Sequence, residues 1–285
     1  MPIVTFWNES RKESGQTTSI IALATHMALE HNYRVLLVDA SFDDNSIEKA
    51  FFKARKENKT LQELTQGKMD ISSGAEGLVS AIASNKVTPE IITNYTRVVF
   101  KNRLDVLTGL STSIHENFEK SMALYKDLLV TANKFYDLVF VDLEKTLRYP
   151  FVKSILENTN LIVYCMSPNL ANIDNFMKKR TTSPLLIGPK VIPLLARSDE
   201  SSSYNIRNAT RYMKEKTLVP TIPYNVRFME ATNEAKAANF FADTKLSKAK
   251  YDLNQNFMQE VERAAIEIID RIKLLQKQVQ LTTPK

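Results

Sequence analysis

Residues 10–19 read Ser-Arg-Lys-Glu-Ser-Gly-Gln-Thr-Thr-Ser, and the reading of this decapeptide decides the fold. Before it stands an apolar opening, Pro2-Ile-Val-Thr-Phe-Trp7. After it comes a run with helical spacing, Ile20-Ile-Ala-Leu-Ala-Thr-His-Met-Ala-Leu29. Strand, tight polar turn and helix form the context of a phosphate-binding loop, in which backbone N–H groups and a helix N-terminus surround an anion. The pattern G-x-x-x-x-G-K-[ST] is half present. Ser10 stands at the first glycine, Gly15 keeps the second, Gln16 replaces the lysine and Thr17 keeps the hydroxyl. Arg11 and Lys12 place positive charge at the front of the loop, beside the carboxylate of Glu13. A glutamine donates a hydrogen bond but carries no charge, and a charge-assisted bond is worth about twice a neutral one.

Outward from the loop, short apolar runs alternate with longer helical patterns. Strands are expected at 3–7, 34–38, 104–107, 138–141, 161–166 and 191–195, each nearly continuous in apolar residues, as strands covered on both faces are. Helices are expected at 17–31, 44–56, 75–84, 88–95, 113–134, 149–157 and 169–180. Such alternation implies an α/β fold, a mostly parallel sheet of seven or eight strands with helices on both faces. Polar connections are expected at 58–73 and 198–204. No repeat or low-complexity linker divides the chain, so one domain over 1–245 is expected, followed by a C-terminal helix and polar tail over 246–285. Within 246–278, Leu253, Phe257, Val261, Ala265, Ile268, Ile272 and Leu275 recur every three or four residues along one stripe. That stripe is expected to pack on its own domain or on a partner. It lacks the aromatic anchors of a membrane-binding helix near its end.

The 285 residues suffice for a sizeable core, and 44% hydrophobic with 25% charged residues is an ordinary globular balance. Six glycines are few for this length, which limits how many places the backbone can approach an anion closely. A single cysteine, Cys165, excludes an internal disulfide framework, and its apolar setting marks it as a buried small side chain. His26, His31 and His115 have no partners at metal-ligand spacing, so no histidine metal site is expected. With no signal peptide and no long apolar run, a cytoplasmic protein is expected. The net charge of +6 suits an acidic partner as well as an ordinary soluble protein.

Two acids follow the loop at strand ends. Arg34-Val-Leu-Leu-Val-Asp-Ala-Ser41 carries Asp39, and Tyr136-Asp-Leu-Val-Phe-Val-Asp-Leu-Glu144 carries Asp142. The carboxyl edge of a parallel sheet is where ligands and metals bind. In this order the motifs resemble the MinD/ParA group of P-loop ATPases with a deviant Walker A motif. The resemblance extends to Leu104-Asp-Val-Leu-Thr-Gly109 and to Val219-Pro-Thr-Ile-Pro-Tyr-Asn225, which is similar to a segment that closes the family's sheet.

The resemblance implies ATP and Mg²⁺ at this site. It implies nucleotide contacts at Arg11, Gly15, Gln16, Thr17, Thr18, Arg197 and Pro223, and metal contacts at Thr17, Asp39 and Asp142. The signature lysine falls at Arg11, which keeps the charge, while the loop lysine falls at Gln16 and loses it. The second acid of the D-x-D pair falls at Ser41, the D-T-P-P following the Walker B acid reads Asp142-Leu-Glu-Lys145, and the adenine-reading asparagine falls at Ala196. Phosphoryl transfer rests on positioning and charge stabilisation, so these losses imply a weak ATPase at most. Degenerate loops of this sort are similar to the TadZ/CpaE branch, which implies a dimeric scaffold for Tad/Flp pilus assembly, at the cell pole or the inner face of the membrane. It implies partners drawn from a pilus or secretion assembly, and membrane contact only through them. The alternative is an active partition ATPase that binds non-specific DNA through Lys178-Lys-Arg180, Arg207, Arg211, Lys214 and Lys216.

Overall fold

The computed structural model describes residues 2–9, 14–42, 44–53, 74–84, 88–110, 115–246 and 252–282. Its frame is one sheet of eight strands: β1 (Ile3–Trp7), β2 (Val35–Ala40), β3 (Arg97–Phe100), β4 (Leu104–Leu107), β5 (Leu138–Leu143), β6 (Leu161–Met166), β7 (Val191–Ser198) and β8 (Thr221–Pro223). The spatial order is β3-β4-β2-β5-β1-β6-β7-β8. Every pairing is parallel except β3 with β4. All residues of β1, β2, β4, β5 and β6 are buried. Central strands bury both faces because helices cover both, which is why their sequences read as unbroken apolar runs.

Alternation along β1 sends Val4 and Phe6 into one core and Ile3 and Trp7 into the other. The Val4 side is covered by α1 (Gln16–Glu30), α2 (Ser46–Phe51), α9 (Val226–Asn233), α10 (Ala237–Leu246) and α11 (Leu253–Thr282). The Trp7 side is covered by α3 (Gly74–Ala83), α4 (His115–Met122), α5 (Tyr125–Ala132), α6 (Pro150–Asn158), α7 (Leu170–Thr182) and α8 (Ile206–Tyr212).

Several elements differ from the sequence reading. Strand β3 is a short antiparallel edge of four residues, Arg-Val-Val-Phe, apolar at three positions but only partly covered, with Val98 exposed. The expected helix over 88–95 is a 3-10 turn, Pro89–Asn94, and the one over 113–134 is two helices broken after Met122. Helices α8, α9 and α10 were not anticipated. The connection expected at 58–73 lies outside the described residues.

Along α11, Phe257, Val261, Ala265, Ile268 and Ile272 are buried in the core beside α1 and β8, whereas Leu253 is exposed. Two histidines gain a partner that sequence spacing does not show. His26 and His31, near the end of α1, converge on Glu262 of α11. Sequence spacing hid this cluster because its third member lies 236 positions from His26.

Candidate nucleotide site

The site forms at the carboxyl ends of β1, β2, β5 and β7. Strand β1 delivers the chain into the loop, and α1 leaves it from Gly15. That glycine adopts the left-handed region, φ 67°, and an added Cβ would lie 2.6 Å from the Cβ of Ala196. A side chain there is excluded twice, by backbone conformation and by the close approach of β7. Gly15 makes no side-chain capping bond, and the first turn of α1 carries no acid. By contrast, Asn169, Asn205 and Asn225 cap α7, α8 and α9 with their side-chain oxygens. The start of α1 therefore keeps its N–H groups and the positive end of its dipole available to an anion. Among the described residues, the Ser14 hydroxyl accepts from the Gln16 N–H at 3.4 Å.

Gln16 is buried, with its side chain turned down into the sheet edge. Its Nε2 donates to Asp142 Oδ1 at 2.5 Å and to the Leu143 carbonyl at 2.9 Å. The amide of Gln16 is thus spent on Asp142 and the backbone beside it. The Thr17 hydroxyl also bonds Asp142. Burial pushes the Asp142 carboxyl up to about 6, against those two bonds and the charge of Lys145, which favour its ionised form. Its neighbour in register is Asp39. Burial and the charge of Asp142 hold the Asp39 carboxyl well above its usual range, although Ser41 opposes the rise. Ser41 donates to Asp39 Oδ1 through both its N–H, at 3.1 Å, and its hydroxyl, at 2.5 Å. Where the resemblance places a second acid, the chain therefore has a hydroxyl that satisfies the first one. Gly109 admits Asp39 closely, since a Cβ there would lie 3.2 Å from its carboxyl carbon.

Two clefts meet at Gln16 and Thr17. One, of about 290 Å³, is bounded by Ser14, Gly15, Gln16, Thr17 and Thr18 with Lys49, Lys145 and Arg197. The other, of about 530 Å³, contains Asp142, Ser41, Lys145 and Arg148 beside Phe42, His115 and Tyr149. Lys145 faces both. Its turn is fixed by three bonds to Glu144: Trp7 Nε1 donates to the carbonyl at 3.1 Å, while the N–H groups of Phe42 and Lys145 reach the carboxylate at 2.9 and 2.8 Å.

Of the residues singled out in the sequence, Gly15, Gln16, Thr17, Thr18 and Arg197 share the first cleft. Pro223 lines a small adjoining crevice with Gly15, Thr18 and Arg197. Asp39 and Asp142 lie behind them. Arg11 lies outside the described residues. Lys49 and Lys145 escaped the sequence reading, although Lys145 follows Asp142 by three positions and that short distance was the one available signal. Three buried polar atoms around the loop, Gln16 Oε1, Ser19 Oγ and Arg197 Nε, have no hydrogen-bond partner among the described residues. Unpaired buried groups of this kind are uncommon and call for a ligand or water. The orphaned donors and acceptor, the uncapped helix and three cations fit a polyphosphate, and Thr17 with Asp142 and Asp39 supplies the oxygen donors that Mg²⁺ prefers.

The basic residues considered for DNA are partly engaged elsewhere. Lys179 pairs with Glu9 and Arg180 with Glu215, while Lys178, Arg207, Arg211, Lys214 and Lys216 are exposed. Among the described residues, no helix is long and apolar enough to cross a membrane.

Solved structures with the same architecture include a ParA family ATPase from Chlorobium tepidum, 15% identical, with 91% of this chain and 97% of that chain covered at a TM-score of 0.66. A putative plasmid partition protein from Borrelia burgdorferi bound to AMPPNP is 18% identical, with 94% and 98% covered and a TM-score of 0.59. The septum site-determining protein MinD of Pyrococcus horikoshii, complexed with Mg-ADP, is 16% identical, with 92% and 95% covered and a TM-score of 0.62. These likenesses establish the P-loop NTPase fold of the MinD/ParA kind. No family model and no curated protein sequence matches the chain.

Proposed function

We propose that this protein is a MinD/ParA-like scaffold that binds Mg-nucleotide with a rearranged set of cations and turns it over weakly or not at all. The observation that carries this reading is the position of Gln16. Its amide is committed to Asp142 and the Leu143 carbonyl, while Lys49, Lys145 and Arg197 surround the uncapped start of α1. Binding of phosphate oxygens needs donors and positive charge, and both are present. Turnover needs a positioned water and charge stabilisation in the transition state. Here Ser41 stands where the resemblance places the second, water-orienting acid and offers Asp39 only hydrogen bonds, and no lysine stands in the loop at position 16. Loss of one preorganised donor costs on the order of 10²–10³ in rate. Magnesium would be held by Thr17 and Asp142, with Asp39 behind them, and would supply positive charge that offsets the two carboxylates and the phosphates.

Bound nucleotide then acts as a structural ligand that fixes the loop and its neighbours. The scaffold works as a dimer with protein partners, and the resemblance to the TadZ/CpaE branch directs the search for them to Tad/Flp pilus machinery on the cytoplasmic side of the membrane. The partition reading, with ATP-dependent binding to DNA, is less favoured because Glu9 and Glu215 occupy two of the cations it needs. The test is sedimentation of the purified protein with and without Mg-AMPPNP, run beside a phosphate-release assay and low-salt DNA binding. A dimer under both conditions, background phosphate release and no ATP-dependent DNA binding support the scaffold. A nucleotide-driven monomer–dimer switch with steady turnover, or DNA binding that appears only with ATP, contradicts it.

A further inference from the structure

We propose that His26, His31 and Glu262 form a binding site for a divalent transition ion of the zinc class, which ties the helix that leaves the phosphate loop to the C-terminal helix. The inference is independent of what the nucleotide site does.

The donor set comes first. Two imidazoles and one carboxylate suit zinc, which takes three protein ligands and keeps a fourth position for water in sites of this composition. Here the three side chains belong to two packed helices, α1 and α11. His26 Nε2 lies 2.6 Å from Glu262 Oε2, and His31 Nε2 lies 2.7 Å from the same oxygen. One ligand atom from each residue falls within 4.8 Å of the other two. Around a tetrahedral ion with bonds near 2.0–2.1 Å, ligand atoms stand roughly 3.3 Å apart. The carboxylate would therefore withdraw by about 0.7 Å, and its side chain, 36% exposed, has room to do so.

The frame is rigid on the other side. His26 is buried, its ring 6.0 Å from that of Phe241 in an aromatic cluster with Phe228, Phe240 and Phe257. His31 is the C-cap of α1. Its backbone departs from helical geometry, φ −107° and ψ 8°, and its ring centroid lies 6.0 Å from that of His26. Without that departure, side chains five positions apart on a helix would diverge by about 140°. Burial also lowers the affinity of His26 for a proton, against the pull of Glu262 and Glu30, and so maintains the neutral imidazole that metals require. Glu30, nearby, is engaged by Lys245 at 2.9 Å. The partly exposed His31 and Glu262 leave the fourth position open to water.

One feature limits the strength of the site. His26 Nδ1 has no hydrogen-bond partner among the described residues, and metal-ligating histidines generally donate that second N–H to an acceptor. Lack of such an outer partner typically costs 10–100-fold in affinity, so micromolar rather than nanomolar binding is expected.

The experiment is calorimetric titration of zinc into tag-free, full-length protein stripped with EDTA and dialysed, with cobalt as an optical probe. The inference predicts one ion per chain, the visible absorption of a four-coordinate cobalt thiolate-free site, and a raised melting temperature. His31→Ala and Glu262→Gln should each weaken uptake about tenfold or more; the second retains a neutral hydrogen-bond acceptor and so preserves the helix contact. No saturable uptake of either metal up to millimolar, or equal uptake by wild type and both variants, would overturn the proposal and leave the cluster as a hydrogen-bonded clasp.

Discussion

Gln16 and Asp142 are joined across the floor of the site by an Nε2–H···Oδ1 hydrogen bond of 2.5 Å. This bond explains how the fold tolerates an uncharged residue at the loop position. A buried carboxylate with no partner would be costly, and hydrogen bonds to a charged group contribute about 1.5–3 kcal/mol. The amide satisfies the acid without a cation, and the cations move to the walls, where Lys49, Lys145 and Arg197 stand.

If Gln16 is what limits the loop, a lysine in its place should restore charge next to Asp142. Gln16→Lys is expected to tighten Mg-ATP binding about tenfold, while hydrolysis stays slow because Ser41 still occupies the second acid position. Titration with a fluorescent nucleotide reads the first effect and phosphate release the second. An unchanged affinity would mean that the wall cations already saturate the phosphates.

Lys145 faces both clefts and adds positive charge beside Asp142. Lys145→Ala should therefore weaken Mg-ATP binding by roughly tenfold, about 1.4 kcal/mol. Lys49→Ala should act in the same direction through the first cleft alone. Equal affinity in wild type and Lys145→Ala would remove the rearranged-cation account.

The paired acids make stability depend on pH in a definite direction. Burial pushes the Asp142 carboxyl from its usual 3.8 up to about 6, and burial with the charge of Asp142 also raises Asp39. Between pH 3.8 and about 6 the folded state holds more protons on Asp142 than the unfolded state, and raised Asp39 acts in the same direction, so stability falls as pH rises. In EDTA, unfolding by denaturant should show a loss from pH 4 to beyond 6. Asp142→Asn, which cannot ionise, should flatten that loss and stabilise the apo protein at pH 8 by on the order of 2–3 kcal/mol. A wild-type profile that rises over this window would contradict the assignment.

Gly15 is confined by conformation and by contact, with φ 67° and Ala196 across the gap. Gly15→Ala should lower stability by roughly 1–3 kcal/mol, from the left-handed backbone and the overpacked contact together. A thermal melt within a degree of wild type would show that the loop relaxes freely.

Much of this frame was legible in the sequence. Runs such as Leu161–Met166 are apolar throughout because helices cover both faces of their strands, and Asp39 and Asp142 stood out as acids ending such runs. The edge strand Arg97–Phe100 was missed although three of its four residues are apolar, because a run so short, flanked by Thr96 and Lys101, does not stand out from a connection. Lys49 and Lys145 were missed for a different reason. A cation that reaches a ligand through space obeys no spacing rule, and only the folded sheet brings position 49 to position 16. Glu262 joins His26 and His31 in the same way, through packing of the last helix on the first.

The central claim is binding without efficient turnover, and one calorimetric titration of Mg-ATP into the purified protein, with phosphate counted in the same cell, addresses it directly. The account predicts one site per chain with a dissociation constant of about 1–100 μM, and phosphate release far below the ~1 s⁻¹ of an ordinary enzyme. No heat up to millimolar nucleotide, or steady release near ~1 s⁻¹, would contradict it.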